Sequence, residues 1–299
     1  MSGGGVAYVL LLAGGVVAAV LLERASAPVL GSPTLRRANY RGHELATAGG
    51  IVIVLAVLVV EAGRTALAEF GVGEELSDSL LRSVVLFACF AFAFLGLIDD
   101  LLGTEEDRGF VGHLRALQRG RLTTGAMKLF GGGVVAIVLT AAPGEVSGRR
   151  LLADAALVAL AANLGNLLDR APGRTIKVGL MAYVPIALVA GTGPVGLALA
   201  SVVGAAAGLL PADLGERLML GDTGANLLGA VLGLAVVLET SRPVRTGVLI
   251  ALVLLNLASE RVSFSRVIDA TPGLRHLDRL GRRPLEGGPQ GSQAGSGLT

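Results

Sequence analysis

Long apolar segments recur along the whole chain and constrain its fold more than any other feature. Each segment is close to the roughly 20 residues that cross a hydrocarbon core of about 30 Å as a helix. Transmembrane strands are a poor alternative, because alternation with period two is missing and glycine and alanine are abundant. We therefore predict an all-α, polytopic transmembrane helical bundle of nine spans, near residues 5–22, 46–62, 83–100, 128–142, 151–168, 177–192, 194–210, 224–240 and 244–258.

The composition agrees with a multi-pass membrane protein. Of the 299 residues, 53% are hydrophobic and only 16% are charged, and the mean hydropathy is +0.70. A formal charge of +2 gives no support to nucleic-acid binding. The 44 glycines are interpreted as small residues that let helices approach closely, and the single cysteine, Cys89, as a buried and inert thiol. Residues 1–284 are expected to form one membrane domain, and residues 285–299, rich in Gly, Ser and Gln, a disordered tail.

The basic residues predict the orientation of the bundle. With nine spans, most Arg and Lys residues fall in alternate connections, which should be cytoplasmic. This places the N-terminus outside and the C-terminus in the cytoplasm, in the plasma (inner) membrane of a cell. The opposite side then holds only Arg64, Arg82, Arg149, Arg150, Arg242 and Arg245.

Adjacent carboxylates, Asp99 and Asp100, end the third apolar segment. Acids near lipid are costly, roughly 2–3 kcal/mol each at the bilayer centre, so they usually mark an ion, proton or substrate site. The alternative is that both lie outside the membrane as solvated loop residues.

Two further polar groups interrupt apolar segments. Asn163, Asn166 and Asp169 are three residues apart and fall on one side of a helix; the alternative role for the amides is to join neighbouring helices. Asp222 lies between glycines before another span, where it either caps the helix or lets a metal or phosphate approach the backbone.

The span count places Asp99, Asp100, Asp169 and Asp222 on the same membrane face. Carboxylate oxygens without a histidine or cysteine cluster favour Mg²⁺ or Mn²⁺ over zinc. Basic residues in the same loops suit a polyanionic substrate, although the positive-inside rule alone also places them there. Lys128 enters a span on this face and is expected to project toward the acids.

Taken in order, these motifs resemble the polyprenyl-phosphate N-acetylhexosamine-1-phosphate transferases, the family that contains the MraY and WecA enzymes of bacterial cell-envelope synthesis. The resemblance covers most of the chain. It rests on Thr47-Ala48-Gly49-Gly50, Gly96-Leu97-Ile98-Asp99-Asp100, residues 120–128, residues 163–169 and Gly221-Asp222-Thr223-Gly224.

The resemblance implies transfer of a sugar-1-phosphate from a UDP-sugar to a polyprenyl phosphate at the cytoplasmic face, with Mg²⁺ as cofactor. It implies that Asp222 binds the metal, and that Asp99 and Asp100 orient or deprotonate the lipid phosphate. It further implies that Lys128 neutralises phosphate charge, while Asn166 and Asp169 contact the nucleotide; Asn163 is added as a substrate-binding candidate. The expected partners are a polyprenyl phosphate lipid, a nucleotide-sugar donor and the membrane, with a homodimer left open.

Some positions differ from the family pattern. After Asp169 the chain has Arg170-Ala171-Pro172-Gly173-Arg174 in place of Gly-x-Asp-Gly, and His276 alone stands where the family has a histidine-rich loop. These differences leave a second interpretation open, in which the protein binds polyprenyl phosphate or envelope-synthesis proteins without catalysis. A transporter or ion channel is a third alternative, but it predicts acids at mid-depth rather than at one face.

Overall fold

The computed structural model describes residues 3–72, 80–103, 123–143 and 148–284, and these are mostly helical. The predicted tail at 285–299 lies outside the described residues, as do Arg108, Arg115, Arg119, Arg121 and His113 of one predicted cytoplasmic loop. The described helices are α1 (Gly3–Leu30), α2 (Gly50–Ala68), α3 (Leu80–Leu102), α4 (Thr124–Ala141), α5 (Gly148–Leu168), α6 (Arg174–Ala190), α7 (Pro194–Leu214), α8 (Gly221–Glu239), α9 (Arg242–Ser259), α10 (Phe264–Ala270) and α11 (Pro272–Arg279).

The prediction of an all-α polytopic bundle is confirmed at this level. Each of the nine predicted spans coincides with one of the helices α1 to α9. Eight of these, all except α6, are long and apolar enough to cross a membrane. The exception, α6, has 17 residues and therefore falls just short of the others in length.

Helices α7 and α8 form the centre of the bundle, and most of their residues are buried. Small residues allow α1 to pack closely against α7. A Cβ atom on Gly15 would overlap the backbone of Ser201, and one on Gly204 would overlap the backbone of Leu12. Without a strong hydrophobic force between helices in lipid, such close packing is a main source of stability.

The first turn of α8 packs against α2 and α3 through glycines. A Cβ atom on Gly96 would overlap the backbone of Asp222, and one on Gly50 would overlap the backbone of Gly224. These contacts confirm the interpretation of glycines as residues for helix packing. Cys89 is fully buried in α3, as predicted.

A small hairpin connects α1 to α2 and was not predicted from the sequence. A 3₁₀ turn (Pro33–Leu35) leads into β1 (Arg36–Ala38), which pairs antiparallel with β2 (Glu44–Ala46). The amide of Met219 donates to the carbonyl of Ala46 at 2.7 Å, and the amide of Gly50 donates to the carbonyl of Leu220 at 2.9 Å. The hairpin is thereby attached to the segment that begins α8.

Candidate functional site

Lys128 lies at the centre of a polar cluster at one end of the bundle. Its Nζ atom is 3.1 Å from Asp99 Oδ2 and also contacts Asp222 Oδ2. The three side chains are only 15–24% exposed. The first turn of α4, which carries Lys128, is fixed by Thr123, whose hydroxyl accepts a hydrogen bond from the amide of Ala126 at 3.1 Å. Three helices thus contribute one charge each to a single contact.

Asn166, at the end of α5, completes this cluster. With its amide oriented to satisfy both neighbours, its oxygen accepts a hydrogen bond from Lys128 Nζ at 2.7 Å and its nitrogen donates to Asp222. Asn166 therefore contacts the same lysine and the same carboxylate that join α3, α4 and α8.

Asp100 has a different environment from its neighbour Asp99. One carboxylate oxygen accepts the amide of Asp222 at 3.0 Å and the hydroxyl of Thr47 at 3.2 Å. The other accepts the amide of Thr223 at 2.9 Å and the Thr223 hydroxyl at 2.6 Å. Asp100 thus satisfies free N–H groups at the start of α8. The capping role considered for Asp222 is performed by Asp100, which leaves the Asp222 carboxylate facing Lys128 and Asn166.

Asn163 lies one helical turn away from this cluster and faces another helix. Its side-chain nitrogen donates to Asn256 Oδ1 of α9 at 2.6 Å, and Asn256 in turn donates to the carbonyls of Leu160 and Leu252 at 3.2 and 2.8 Å. The structure therefore does not bring Asn163 to Asn166 and Asp222. The contact is the helix-joining alternative, and no pattern in the sequence indicates that Asn256 is the partner.

Asp169, just after α5, lies beside the cluster at the edge of a cavity of about 280 Å³. The cavity is lined by the hairpin, the α5–α6 connection and the α7–α8 connection, including Asn39, Arg170, Asp213 and Glu216. Burial raises the pKa of Asp169 well above its ordinary value, and the nearby charges of Asp213, Asp222 and Asp100 raise it further. The hydroxyl of Thr175 donates a hydrogen bond to the carboxyl of Asp169 at 3.4 Å.

The basic residues after Asp169 bind the C-terminal helices. Arg174 donates from Nε and Nη2 to the two carboxylate oxygens of Asp278, at 2.8 and 3.0 Å, and from Nη1 to Ser265 at 2.8 Å. Arg282 donates to Asp278 at 2.6 Å and to the carbonyl of Pro172 at 2.9 Å. Burial alone would raise the pKa of Asp278, but the hydrogen bonds and charge of Arg174, with the charge of Arg282, lower it overall.

Lys177 also binds the C-terminal helices, at the end of α11. Its Nζ atom donates to the carbonyls of Leu277, Asp278 and Leu280, at distances of 3.0, 2.5 and 3.2 Å. A cation at the C-terminal end of a helix is favourable because the last carbonyls lack partners within the helix. The sequence leaves open whether the basic residues of these loops serve a polyanionic substrate or only follow the positive-inside rule. In the structure, Arg174 and Lys177 hold the C-terminal helices in place.

The carboxylates of the cluster are compatible with Mg²⁺ when a bound substrate supplies further oxygen ligands. Among the described residues, no three His, Cys, Asp or Glu side chains form a group that could hold a metal ion alone. Asp99 and Asp222 do lie close enough to interact directly. Mg²⁺ is usually held by one or two carboxylates together with substrate phosphates. Asp222 and Asp99 therefore fit a Mg²⁺ ion that arrives with a phosphorylated substrate, and do not form a complete protein cage.

Comparison with protein-family models and with curated proteins finds no match to this chain. The family resemblance therefore rests on the motifs and their arrangement.

Proposed function

We propose that this chain is a Mg²⁺-dependent sugar-1-phosphate transferase of the polyprenyl-phosphate acceptor type. The reaction joins an oxygen of the lipid phosphate to the β-phosphorus of a UDP-sugar. The bond between the β-phosphorus and the oxygen that bridges it to the α-phosphorus breaks, and UMP leaves with that oxygen. A lipid-linked diphosphate sugar for cell-envelope glycan synthesis remains.

The observation that supports this proposal best is the contact of Lys128 with both Asp99 and Asp222. One cation with two carboxylates and an amide, at the ends of α3, α4, α5 and α8, is suited to phosphoryl transfer. Such reactions need positioning and charge neutralisation, and they need no protein nucleophile. Mg²⁺, when bound with the donor, supplies further neutralisation of the diphosphate.

Each residue is assigned a task that its contacts allow. Lys128 binds a phosphate oxygen as its contacts with the acids loosen, and Asp222 with Asp99 provides the carboxylates for the metal. Asp99 accepts a proton from, or orients, the lipid phosphate. Asp100 acts as a positioning residue, because both of its oxygens are engaged with the first turn of α8.

The donor is assigned to the side of Asp169. The cavity of about 280 Å³ next to this residue lies beside the cluster and is lined by both polar and apolar groups, so it suits part of a nucleotide. Asn166 is shared between the two regions. The acceptor lipid is assigned to the membrane side of Lys128, where α3 and α4 expose Phe94 and Phe130.

The proposal includes nine spans, with the N-terminus outside, the C-terminus in the cytoplasm and the site at the cytoplasmic face of the plasma membrane. The asymmetry of Arg and Lys between alternate connections supports this orientation. The helix α6 then crosses the membrane with 17 residues, at the short end of the usual range.

A second candidate function is binding of polyprenyl phosphate without catalysis. The ion pair between Arg174 and Asp278 favours it, because the segment after Asp169 holds the C-terminal helices and lacks the family's second acid there. In that case the cluster around Lys128 binds the lipid phosphate and no donor is consumed.

The test uses the full chain reconstituted with undecaprenyl phosphate, Mg²⁺ and a panel of nucleotide diphosphate sugars. The readout is release of nucleoside monophosphate. We expect release with one donor, at least 100-fold less in Asp222→Asn and none after chelation of Mg²⁺. Asp269→Asn is the matched control, because Asp269 is an exposed acid with a 3.2 Å ion pair on α10, and it should keep full activity.

Two results contradict the transferase. Silence with every donor while lipid phosphate still binds supports the second candidate. Release that is equal in Asp222→Asn and the unaltered chain rejects the site itself, provided both proteins show the same thermal unfolding.

A further inference from the structure

A second polar region lies at the opposite end of the bundle from Lys128. Helix α5 begins at Gly148 and reaches Asn166 of the cluster, so its first turn is about 27 Å away along the helix axis. Helix α8 begins in the cluster, and the next helix, α9, begins at Arg242 just after α8 ends. The first turns of α5 and α9 are therefore at the end of the bundle away from the cluster, which the proposed nine spans place at the opposite membrane face.

A cavity of about 480 Å³ lies between these two first turns. The polar wall holds Thr246, four arginines and one carboxylate, and the apolar wall holds Ala153, Leu157 and Leu249. The charged residues are Arg149, Arg150, Asp154, Arg242 and Arg245. The wall thus carries an excess of three positive charges. Its volume is in the range of cavities that hold small ligands, roughly 300–1,000 Å³.

Among the described residues, two of the four arginines have partners for their side chains. Asp154 is buried and lies 3.6 Å from Arg150 and 3.4 Å from Arg245, and Arg245 also donates to the carbonyl of Thr240 at 2.9 Å. Arg149 and Arg242 are exposed, and within the described part of the chain neither has an ion pair or hydrogen bond from its side chain. Two guanidinium groups therefore remain for an external anion.

The surroundings indicate where that anion comes from. Only Leu252 of α9 is buried, while Ile250, Val253, Leu254 and Leu257 are exposed on an apolar helix. In a membrane this surface contacts acyl chains. A ligand that places a phosphate between the arginines and its chains along α9 satisfies both walls at once. The N-terminal ends of α5 and α9 add a favourable field for a negative charge.

We propose that the cavity between α5 and α9 binds the headgroup of an anionic phospholipid, with Arg149 and Arg242 as the phosphate-binding residues. This site is separate from the cluster around Lys128 and is independent of the proposed transferase reaction. Arg150 and Arg245, paired with Asp154, keep the arginine wall in position.

The test measures lipid binding to the purified chain by native mass spectrometry during titration with phosphatidylglycerol. Each basic residue near a membrane surface strengthens anionic-lipid binding roughly fivefold, so the pair Arg149→Gln and Arg242→Gln should weaken it about 25-fold. The matched control is the double variant Arg24→Gln with Arg266→Gln, which removes two exposed arginines outside the cavity. It should bind phosphatidylglycerol as tightly as the unaltered chain. Equal weakening in both variants would overturn the proposal.

Two further arms use the unaltered chain. Phosphatidylglycerol should protect Arg149 and Arg242 from phenylglyoxal, whereas phosphatidylcholine should not; equal protection by both lipids contradicts an anionic site. Inorganic phosphate, tested alone, should protect neither arginine at concentrations where the lipid does. Protection by inorganic phosphate as strong as by the lipid would mean a site for free anions and would also overturn the proposal.

Discussion

The guanidinium of Arg174 and the carboxylate of Asp278 form a buried two-pronged ion pair, with donor–acceptor distances of 2.8 and 3.0 Å. Their side chains are 4% and 5% exposed. The pair joins the start of α6 to α11, a separation of 104 residues along the chain. It is a buried, bidentate link between the C-terminal helices and the rest of the bundle.

Asp278→Ala is expected to destabilise the protein by about 3 kcal/mol, because it leaves the Arg174 charge buried without its partner. Thermal unfolding in detergent measures the change. The matched control is Asp269→Ala, which breaks the ion pair with Arg279 whose side chains are 54% and 60% exposed; it should cost at most about 0.5 kcal/mol. Similar losses in both variants would show that the buried pair has no special role.

Asp100→Asn is expected to lower the unfolding temperature more than Asp99→Asn. Each oxygen of Asp100 faces a backbone amide, of Asp222 or of Thr223, so either orientation of the new side chain places an NH₂ group against an N–H donor. The cost is roughly 2 kcal/mol. Asparagine at 99 can still present its oxygen to Lys128, so the loss there should be smaller. The reverse order would contradict the positioning role of Asp100.

Lys128→Met and Asp222→Asn should show strong coupling in stability. The single lysine change leaves Asp99 and Asp222 close together without the cation between them. The double variant removes one of these acids as well, so its loss should be smaller than the sum of the two single losses, by roughly 1 kcal/mol or more. Additive losses would mean that the contact of Lys128 with Asp222 contributes little.

Asn163→Ala and Asn166→Ala separate the two polar contacts made by the C-terminal part of α5. Asn163 bonds to Asn256 of the neighbouring helix, so its loss should cost about 0.6 kcal/mol of stability, typical of such bonds in membranes, with transferase turnover unchanged. Asn166 contacts Lys128 and Asp222, so its loss should reduce turnover at least tenfold. Nucleoside monophosphate release and thermal unfolding, measured on both variants, test this; a turnover defect in Asn163→Ala would show that the helix contact serves the site.

Asp169→Asn should remove a pH dependence of stability. The pKa of Asp169 is raised well above its ordinary value, so its carboxyl is protonated in the folded state at pH values where the unfolded chain has lost the proton, above about 3.9. Stability is then lost as pH rises through the raised pKa. The unfolding temperature, measured in the presence of a chelator, should fall from pH 5 to pH 8 for the unaltered chain. For the variant it should change less over the same range. Parallel curves of unfolding temperature against pH for the two proteins would contradict the raised pKa of Asp169.

Much of the fold was predictable from the sequence because apolar segments of membrane length are unambiguous. All nine segments became helices, although α1 continues eight residues beyond the predicted end at 22, and α2 six residues beyond the predicted end at 62. The hairpin at Arg36–Ala46 was missed, since its strands have three residues each and carry no alternating pattern. Its position depends on bonds to residues 218–220, which no local pattern encodes.

Most members of the site were predictable from the sequence, whereas Asn163, which bonds to Asn256 instead, and the contacts among the members were not. Parity of the spans placed the acids together, and Lys128 meets Asp99 and Asp222 as expected. Which oxygens remain available could not be read from the sequence. Asp99 and Asp100 are adjacent in the chain, yet their side chains leave α3 about 100° apart and meet different groups. The partners Asn256 and Asp278 lie more than 90 residues from the residues they bind.

The close contact of Gly96 with the backbone of Asp222, and of Gly50 with that of Gly224, has an evolutionary consequence. A single added methyl group on either glycine pushes the first turn of α8 outward and takes its carboxylate away from the lysine. In descendants of this chain, replacement of Gly50 or Gly96 is therefore expected only together with loss of the contact between Asp222 and Lys128. We therefore expect Gly50 and Gly96 to be retained among relatives of this chain as strictly as the acids of the cluster.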